Sequence, residues 1–261
     1  MSQKRYSKAF LILVSLFLAQ VASSAPNTIL EAGINSFQQG KYDEAKQTFT
    51  NLMADPPWKF AALYNLGNIA VRQNHFGEAL GYYTRASHQN PHDKDTQENL
   101  KFVLQALGGR RLVGALSNYE IFRREVLSRF TFAESLAGTL LFSLFFLTSF
   151  KRFIKTRKFE PGAPPSAGAI TSTVFLVLFT ALSITKLMDT YSKRGVIITD
   201  HVDLRSGPSE TNASMMEATE GSEMSIHDTD HDWIQVNPVG GGLIGWIPQS
   251  SLMVTSGGGP F

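Results

Sequence analysis

The apolar residues of this chain fall into three dense runs, at residues 9–19, 132–150 and 169–188. In the first run both faces are apolar, unlike the one-sided stripe of a helix packed on a soluble core. The stretches between the runs read as ordinary soluble modules. From residue 195 onward the pattern changes to short alternating stretches broken by Gly, Pro and Asn: "GVIITDHVDLRSGPSETN", "SMMEATEGSEMSIHD", "DWIQVNPVGGGLIGWIP" and "SLMV". Period-two strands at such close spacing predict a small β-barrel. The distribution therefore predicts a multidomain α + β membrane protein, with two small domains and separate membrane segments.

The first run follows a basic start (Lys4, Arg5, Lys8) and precedes small residues at 22–25. That is the layout of a secretory signal peptide over residues 1–25, and the run is short for a spanning helix. A cut after Ala25 would place Pro26 next, which is unfavourable, so Ser23 and Ser24 compete with it; an uncleaved anchor gives the same topology. Residues 132–150 and 169–188 each approach the roughly 20 residues that cross a bilayer. Their internal charges, Glu134 and Lys186, lie near the ends, where they can reach the interface. The short connection makes them a helical hairpin, transmembrane helices 132–150 and 169–188, with both outer ends on one side.

The connection, residues 151–168, carries Lys151, Arg152, Lys155, Arg157 and Lys158, and basic juxtamembrane loops stay cytoplasmic. Arg123, Arg124, Arg129, Lys193 and Arg194 flank the opposite ends, so the rule alone is nearly balanced. The leader decides, because it exports the chain attached to it. The expectation is a basic cytoplasmic loop at 151–168 in the bacterial inner membrane, with residues 26–131 and 189–261 facing the periplasm.

Between leader and membrane, "GKYDEAKQTFTNLMADPP" aligns with "NHFGEALGYYTRASHQNP". Tyr42 and Phe76, Glu44 and Glu78, Ala45 and Ala79, Phe49 and Tyr83, and Pro57 and Pro91 all lie 34 residues apart, as do Gly33 and Gly67. A repeat of this length, with a small residue, then Ala, then an aromatic, then Pro, resembles the tetratricopeptide repeat (TPR). The second copy fits better, through Leu63, Leu66, Gly67, Ala70, Ala79, Tyr83, Ala86 and Pro91; the first departs at Ala32 and Ser36. Gly67 and Ala79 would let two helices approach closely, with Asn74 at the turn between them. "DKDTQENLKFVLQALGG" predicts one more helix with Leu100, Val103, Leu104 and Leu107 on one face and Gly108 as its stop, a cap that closes a module at 26–108. The resemblance implies protein partners held in a groove lined by first helices, here Tyr64, Asn65, Asn68 and Arg72. Segment 109–131 reads as an amphipathic linker that either lies on the membrane surface or docks on the repeats.

In residues 195–254 the runs "VDLRSGPSETN", "EATEGSEM", "DWIQV" and "GWIPQSSL" resemble the bacterial SH3-like domain, leaving 255–261 as a flexible tail. The resemblance places Trp233 and Trp246 in its core or cleft and implies binding to wall peptides or proteins. "IHDTDHDW" brings His227, Asp228, Asp230, His231 and Asp232 together in sequence, a spacing that polar loops between strands also produce.

Charge and composition narrow the functions further. A net charge of +2 over 261 residues gives no electrostatic case for nucleic acid, although residues 195–254 hold nine Asp/Glu against the single Arg205. That acidity favours a basic partner surface or simple solvation. Cysteine is absent, which excludes disulfides, thiolate metal sites and a lipoprotein anchor. The sequence contains no phosphate loop, nucleophile elbow or metalloprotease helix, so no catalytic, cofactor or metal residue is assigned and the chain reads as a binding protein, not an enzyme. Leader, repeat pair, two spans and SH3-like module in this order resemble the BatE-type proteins of bacterial Bat (aerotolerance) operons. That resemblance implies an envelope scaffold working with von Willebrand factor A-type Bat membrane proteins and a MoxR-type ATPase in stress tolerance; binding of peptidoglycan through the SH3-like cleft is the alternative.

Overall fold

The structure is a computed structural model that describes residues 28–110, 116–160, 162 and 164–256. The expected leader at 1–25 and residues 257–261 of the expected tail lie outside the described residues. Five helices come first: α1 (Thr28–Gln38), α2 (Tyr42–Leu52), α3 (Lys59–Arg72), α4 (Phe76–Gln89) and α5 (Lys94–Leu107). They form two antiparallel pairs and a closing single helix. The 34-residue period has a direct steric cause. Gly33 lies under the ring of Phe49 and Gly67 under that of Tyr83, and a Cβ at Gly67 would stand only 2.5 Å from the Tyr83 ring. The turns inside the pairs repeat as well, since Gly40 (φ 76°) and Asn74 (φ 63°) both adopt the left-handed conformation that Gly and Asn tolerate best. Asp93 caps α5 by accepting the Thr96 N–H at 2.8 Å, and Gly108 (φ 59°) ends it. Of the apolar stripe expected on α5, Val103 and Leu107 are buried and Leu100 and Leu104 pack against the same core.

After a short helix α6 (Asn118–Glu125) come two long ones, α7 (Phe132–Phe159) and α8 (Ala167–Tyr191). A capping box starts α7: Thr131 accepts the Glu134 N–H at 3.1 Å, and the Glu134 carboxylate accepts the Thr131 N–H at 2.8 Å. Where a loop is expected from residue 151, the helix instead continues through the basic stretch to Phe159. No residue of "KRFIKTRKF" opposes a helix, the cations suit its C-terminal end, and the first breaker in the sequence is Pro161. The two helices pack side by side through small residues and aromatics. Gly138 faces Phe179, whose ring leaves no room for a Cβ; Phe142 stacks on Phe175 and Phe179 with centroids 4.9 and 5.2 Å away; and the Thr139 and Ser183 hydroxyls hydrogen-bond at 3.0 Å. Both helices are long and apolar enough to cross a membrane, and almost none of their side chains are buried.

The last part is one seven-stranded antiparallel sheet: β1 (Arg194–Ile197), β2 (His201–Arg205), β3 (Ser214–Thr219), β4 (Glu223–Asp230), β5 (Trp233–Pro238), β6 (Gly245–Pro248) and β7 (Leu252–Ser256), in the order β3-β2-β6-β5-β4-β1-β7. Ile197, Leu204, Met224, Val236 and Ile247 fill its core. The "RSGPS" stretch is a clamped turn. Arg205 donates to the carbonyls of Glu210 and Asn212 at 2.8 and 2.9 Å, and Gly207 approaches the Asn212 side chain too closely for a Cβ.

The sheet and the helical pairs share packing. Successive residues of β1 point to opposite faces, so Ile197 enters the sheet core while Val196 joins the core of the helices. Helix α4 lies against β1 and β7 through Gly77 and Gly81, one turn apart on one face. A Cβ at Gly77 would lie 2.6 Å from the Ile197 carbonyl oxygen, and one at Gly81 2.5 Å from the Met253 sulfur. The Glu220 carboxylate accepts the free Gly77 N–H at 2.6 Å, satisfying a donor in the first turn of α4. Beside this seam a cleft of about 270 Å³ separates the two modules, lined among others by Leu80, Leu104, Arg123, Arg194 and Thr255.

Helix α6 closes the arrangement by docking against the sheet rather than on the repeats alone. Its buried Glu120 accepts from Arg123 at 2.8 Å and from Arg194 of β1 at 3.0 Å. Arg124 and Arg123 reach Glu223 of β4 at 3.3 and 3.7 Å, and Arg194 lies 3.7 Å from Asp189 of α8. Part of the sheet's acidity is therefore answered within the chain, by α6 and by the N–H of Gly77.

Candidate functional site

All four groove residues read from the sequence lie on α3, and the structure assembles two of them with a partner on α5. Asn68 accepts the Tyr83 hydroxyl through Oδ1 at 2.7 Å, and Asn99 of α5 donates to both Tyr64 Oη and Asn68 Oδ1 at 3.4 Å. Burial pushes the pKa of the Tyr83 hydroxyl well up, so it stays a neutral donor to Asn68. The Tyr64 ring rests between Phe60 and Tyr83, with centroids 6.5 and 6.0 Å away. Asn65 stands apart, with its amide donating at 2.8 Å to the Ala61 carbonyl of its own helix. Arg72 is exposed at the C-terminal end of α3.

This geometry suits reversible recognition. The two Asn99 bonds are long and weak, so an incoming backbone amide can displace them. The amide nitrogen of Asn68 has no hydrogen-bond partner among the described residues and is free to donate to a peptide carbonyl. Phe102 follows Asn99 by three residues on the same side of α5. It is 52% exposed, with its ring edge-on to Phe76 at 6.4 Å. Sequence reasoning missed Asn99 and Phe102 because α5 reads first as a cap. Carrying the 34-residue interval one step further finds both, since it takes Asn65 to Asn99 and Asn68 to Phe102.

Residues 36–107 match the tetratricopeptide repeat family. No curated protein and no solved structure matches the chain. The matched segment reaches from the end of α1 to the end of α5, so α5 belongs to the repeat array as its third first-position helix. The repeat is a protein-interaction fold whose stacked helices present a concave surface; the side of α3 and α5 described above offers hydrogen bonds, two aromatic rings and a guanidinium.

The second candidate lies on the sheet. Trp233 and Trp246 both point away from the sheet core, because Ile234, Val236 and Ile247 alternate with them and take the inner face. Trp233 pairs in register with Pro248 and Trp246 with Gln235, which makes the two rings diagonal neighbours. Trp233 lines an open cleft of about 470 Å³ with Glu210, Asp232, Pro248, Gln249 and Ser250; Trp246 is not part of its lining. Asp232 gives the cleft a preference for basic or amine-bearing groups, whereas Glu210 is already paired with Arg205 at 3.2 Å.

The acidic and histidine cluster of "IHDTDHDW" is spread along a hairpin. His227 occupies a bulge of β4 and hydrogen-bonds Asn237 at 2.7 Å, while His231 sits at the turn (φ 51°) and contacts Asp230 at 2.6 Å. Among the described residues no three His, Asp or Glu side chains converge as a metal site. Glu134, placed at the edge of the first apolar run, holds the capping box and also meets His92 at 2.9 Å.

Proposed function

We propose that this protein is a membrane-anchored adaptor that holds a protein partner in the groove of α3 and α5 on the extracytoplasmic side of a bacterial membrane. One observation carries the reading. The second-helix side of the repeats is sealed against the sheet by Gly77, Gly81 and Val196, while the first-helix side keeps Arg72 and Phe102 exposed beside the Tyr64–Asn68–Asn99 cluster. A face so closed is structural, and a face so open is where an extended peptide can bind. Helices α7 and α8 serve as the anchor. Arg123, Arg124 and Arg194, which weaken the charge rule when the sequence is read alone, are engaged in ion pairs within the outer body. Their presence there has a folding reason, which supports keeping the basic end of α7 in the cytoplasm.

The order of modules continues to favour a scaffold of the Bat aerotolerance type, with von Willebrand factor A-type membrane proteins as partners and the sheet serving as an SH3-like module. Cross-linking followed by mass spectrometry in the native host tests this, comparing the natural protein with Arg72→Ala and Phe102→Ala. The reading expects a partner lost in the variants; the same partners in all three would overturn the groove assignment. A second reading, binding of cell-wall peptides, is favoured by the open cleft that Trp233 lines with Asp232. Retention of the full chain on purified wall sacculi, lost on Trp233→Ala, would select it.

A further inference from the structure

Helix α6 has one face committed to the protein and another that none of the described residues covers. Glu120, Arg123, Arg124 and Leu127 recur at three- and four-residue spacing and make the inward contacts. On the remaining surface Tyr119, Ile121, Phe122 and Val126 are 40, 47, 39 and 36% exposed, with Glu125 between Ile121 and Phe122 around the helix, turned toward Arg129 at 3.5 Å. Four large apolar side chains exposed within eight consecutive positions are costly in water, at about 25 cal/mol per Å² of apolar area. Such a face marks a docking surface.

Its height above the membrane is set by three contacts. At its N-terminal end α6 is tied to β1 through Glu120 and Arg194. Just beyond its C-terminal end, the Leu127 carbonyl accepts the Lys186 ammonium at 2.9 Å, and Lys186 lies more than a turn inside the outer end of α8. His92, in the turn before α5, meets Glu134 in the first turn of α7. About 20 helical residues cross the hydrocarbon; counted back from Lys151, where the basic stretch begins, they end at Phe132. So α6 descends from the level of the sheet to the level where α7 and α8 leave the hydrocarbon. Phe132 and Tyr191, at the outer ends of the two spans, are exposed at that same level, as are the cations Arg129 and Lys193. Tyrosines and basic side chains around an apolar band are the composition of a membrane interface.

We propose that the apolar face of α6 lies in the boundary between headgroups and acyl chains of the outer leaflet, so that the repeat and sheet modules are seated on the lipid. The occupant of this face is lipid and not a second protein, because the Leu127–Lys186 bond holds the end of α6 at the outer end of the spans, where Phe132 and Tyr191 are also exposed. This inference rests on the reading of α7 and α8 as membrane spans, and its test separates the two. The chain contains no cysteine, so single cysteines can be introduced one at a time into the full protein, spin-labelled, and reconstituted in phosphatidylcholine/phosphatidylglycerol vesicles. Positions 122 and 126 probe the face, position 144 the middle of α7, and position 209 the solvated turn after β2. Accessibility to oxygen should exceed accessibility to a water-soluble nickel complex at 122 and 126, less strongly than at 144, with the reverse order at 209. Water-like behaviour at 122 and 126 beside a hydrocarbon signal at 144 would overturn this inference and leave the spans standing. Exclusion of both reagents at 122 and 126 would mean a protein cover and would also overturn it. Water-like behaviour at 144 would remove the spans and the inference together.

Discussion

The two faces of the repeat pair use opposite chemistry. Where α4 meets the sheet the surface is stripped to Gly77, pressed on the Ile197 backbone, and Gly81, pressed on the Met253 side chain, so that a methyl group at either crowds its neighbour. Where α3 and α5 line the groove, the surface is built from Tyr64, Asn68, Asn99 and Phe102, polar and aromatic side chains joined across the two helices only by the long bonds of Asn99. Close packing fixes a permanent neighbour, whereas loosely satisfied polar groups and an uncovered ring await a temporary one. The seam therefore reads as structural and the groove as the proposed binding face, and substitutions should divide along that line.

The largest effect is expected from Glu120→Ala. It takes the nearest carboxylate from Arg123 and Arg194, both close to nine-tenths buried, and leaves them only Glu223 and Asp189 at 3.7 Å. Removing one partner of a buried pair costs about 3 kcal/mol or more. Tryptophans 58, 233 and 246 report on both modules, so the denaturant midpoint of their fluorescence should fall in a single transition; two separated transitions would show that the modules are not coupled. Gly77→Ala comes next, at about 2 kcal/mol, because its methyl meets the rigid Ile197 backbone. Gly81→Ala should cost less, about 1 kcal/mol, because Met253 can turn its sulfur aside. A larger loss at 81 than at 77 would contradict the seam as described. Smallest in stability are Arg72→Ala and Phe102→Ala, each within about 0.5 kcal/mol. Phe102→Ala should nonetheless weaken partner capture by about fivefold or more, as truncation of an anchoring aromatic does. An equal loss of capture from Gly81→Ala in a folded protein would blur the division.

Much of the helical region was legible in the sequence because its constraints are local and periodic. Gly33 and Gly67 under their aromatics, and Gly40 and Asn74 at the left-handed turns, repeat at one interval and need no knowledge of the rest of the chain. The short alternating strands were legible too, but the resemblance left Trp233 and Trp246 in core or cleft, and the structure puts both opposite the inward-facing Ile234, Val236 and Ile247. The seam was not legible. Glu220 is 143 positions from Gly77, and Arg194 is 74 from Glu120; no pattern in either segment announces the other. The same arginines look like topology signals until the structure shows them paired with Glu120 and Glu223. Within the groove, Tyr64 and Asn68 were readable from the repeat, while Asn99 and Phe102 were hidden by treating α5 as an end and not as a third member of the series.

The division between the two faces is tested most directly by a photo-reactive residue placed at position 102 in one variant and at position 253 in another, in cells that make the full chain. Illumination should join position 102 to a second protein, and position 253 only to helix α4 of its own chain near residue 81. A second protein captured from position 253, with none captured from 102, would contradict the account.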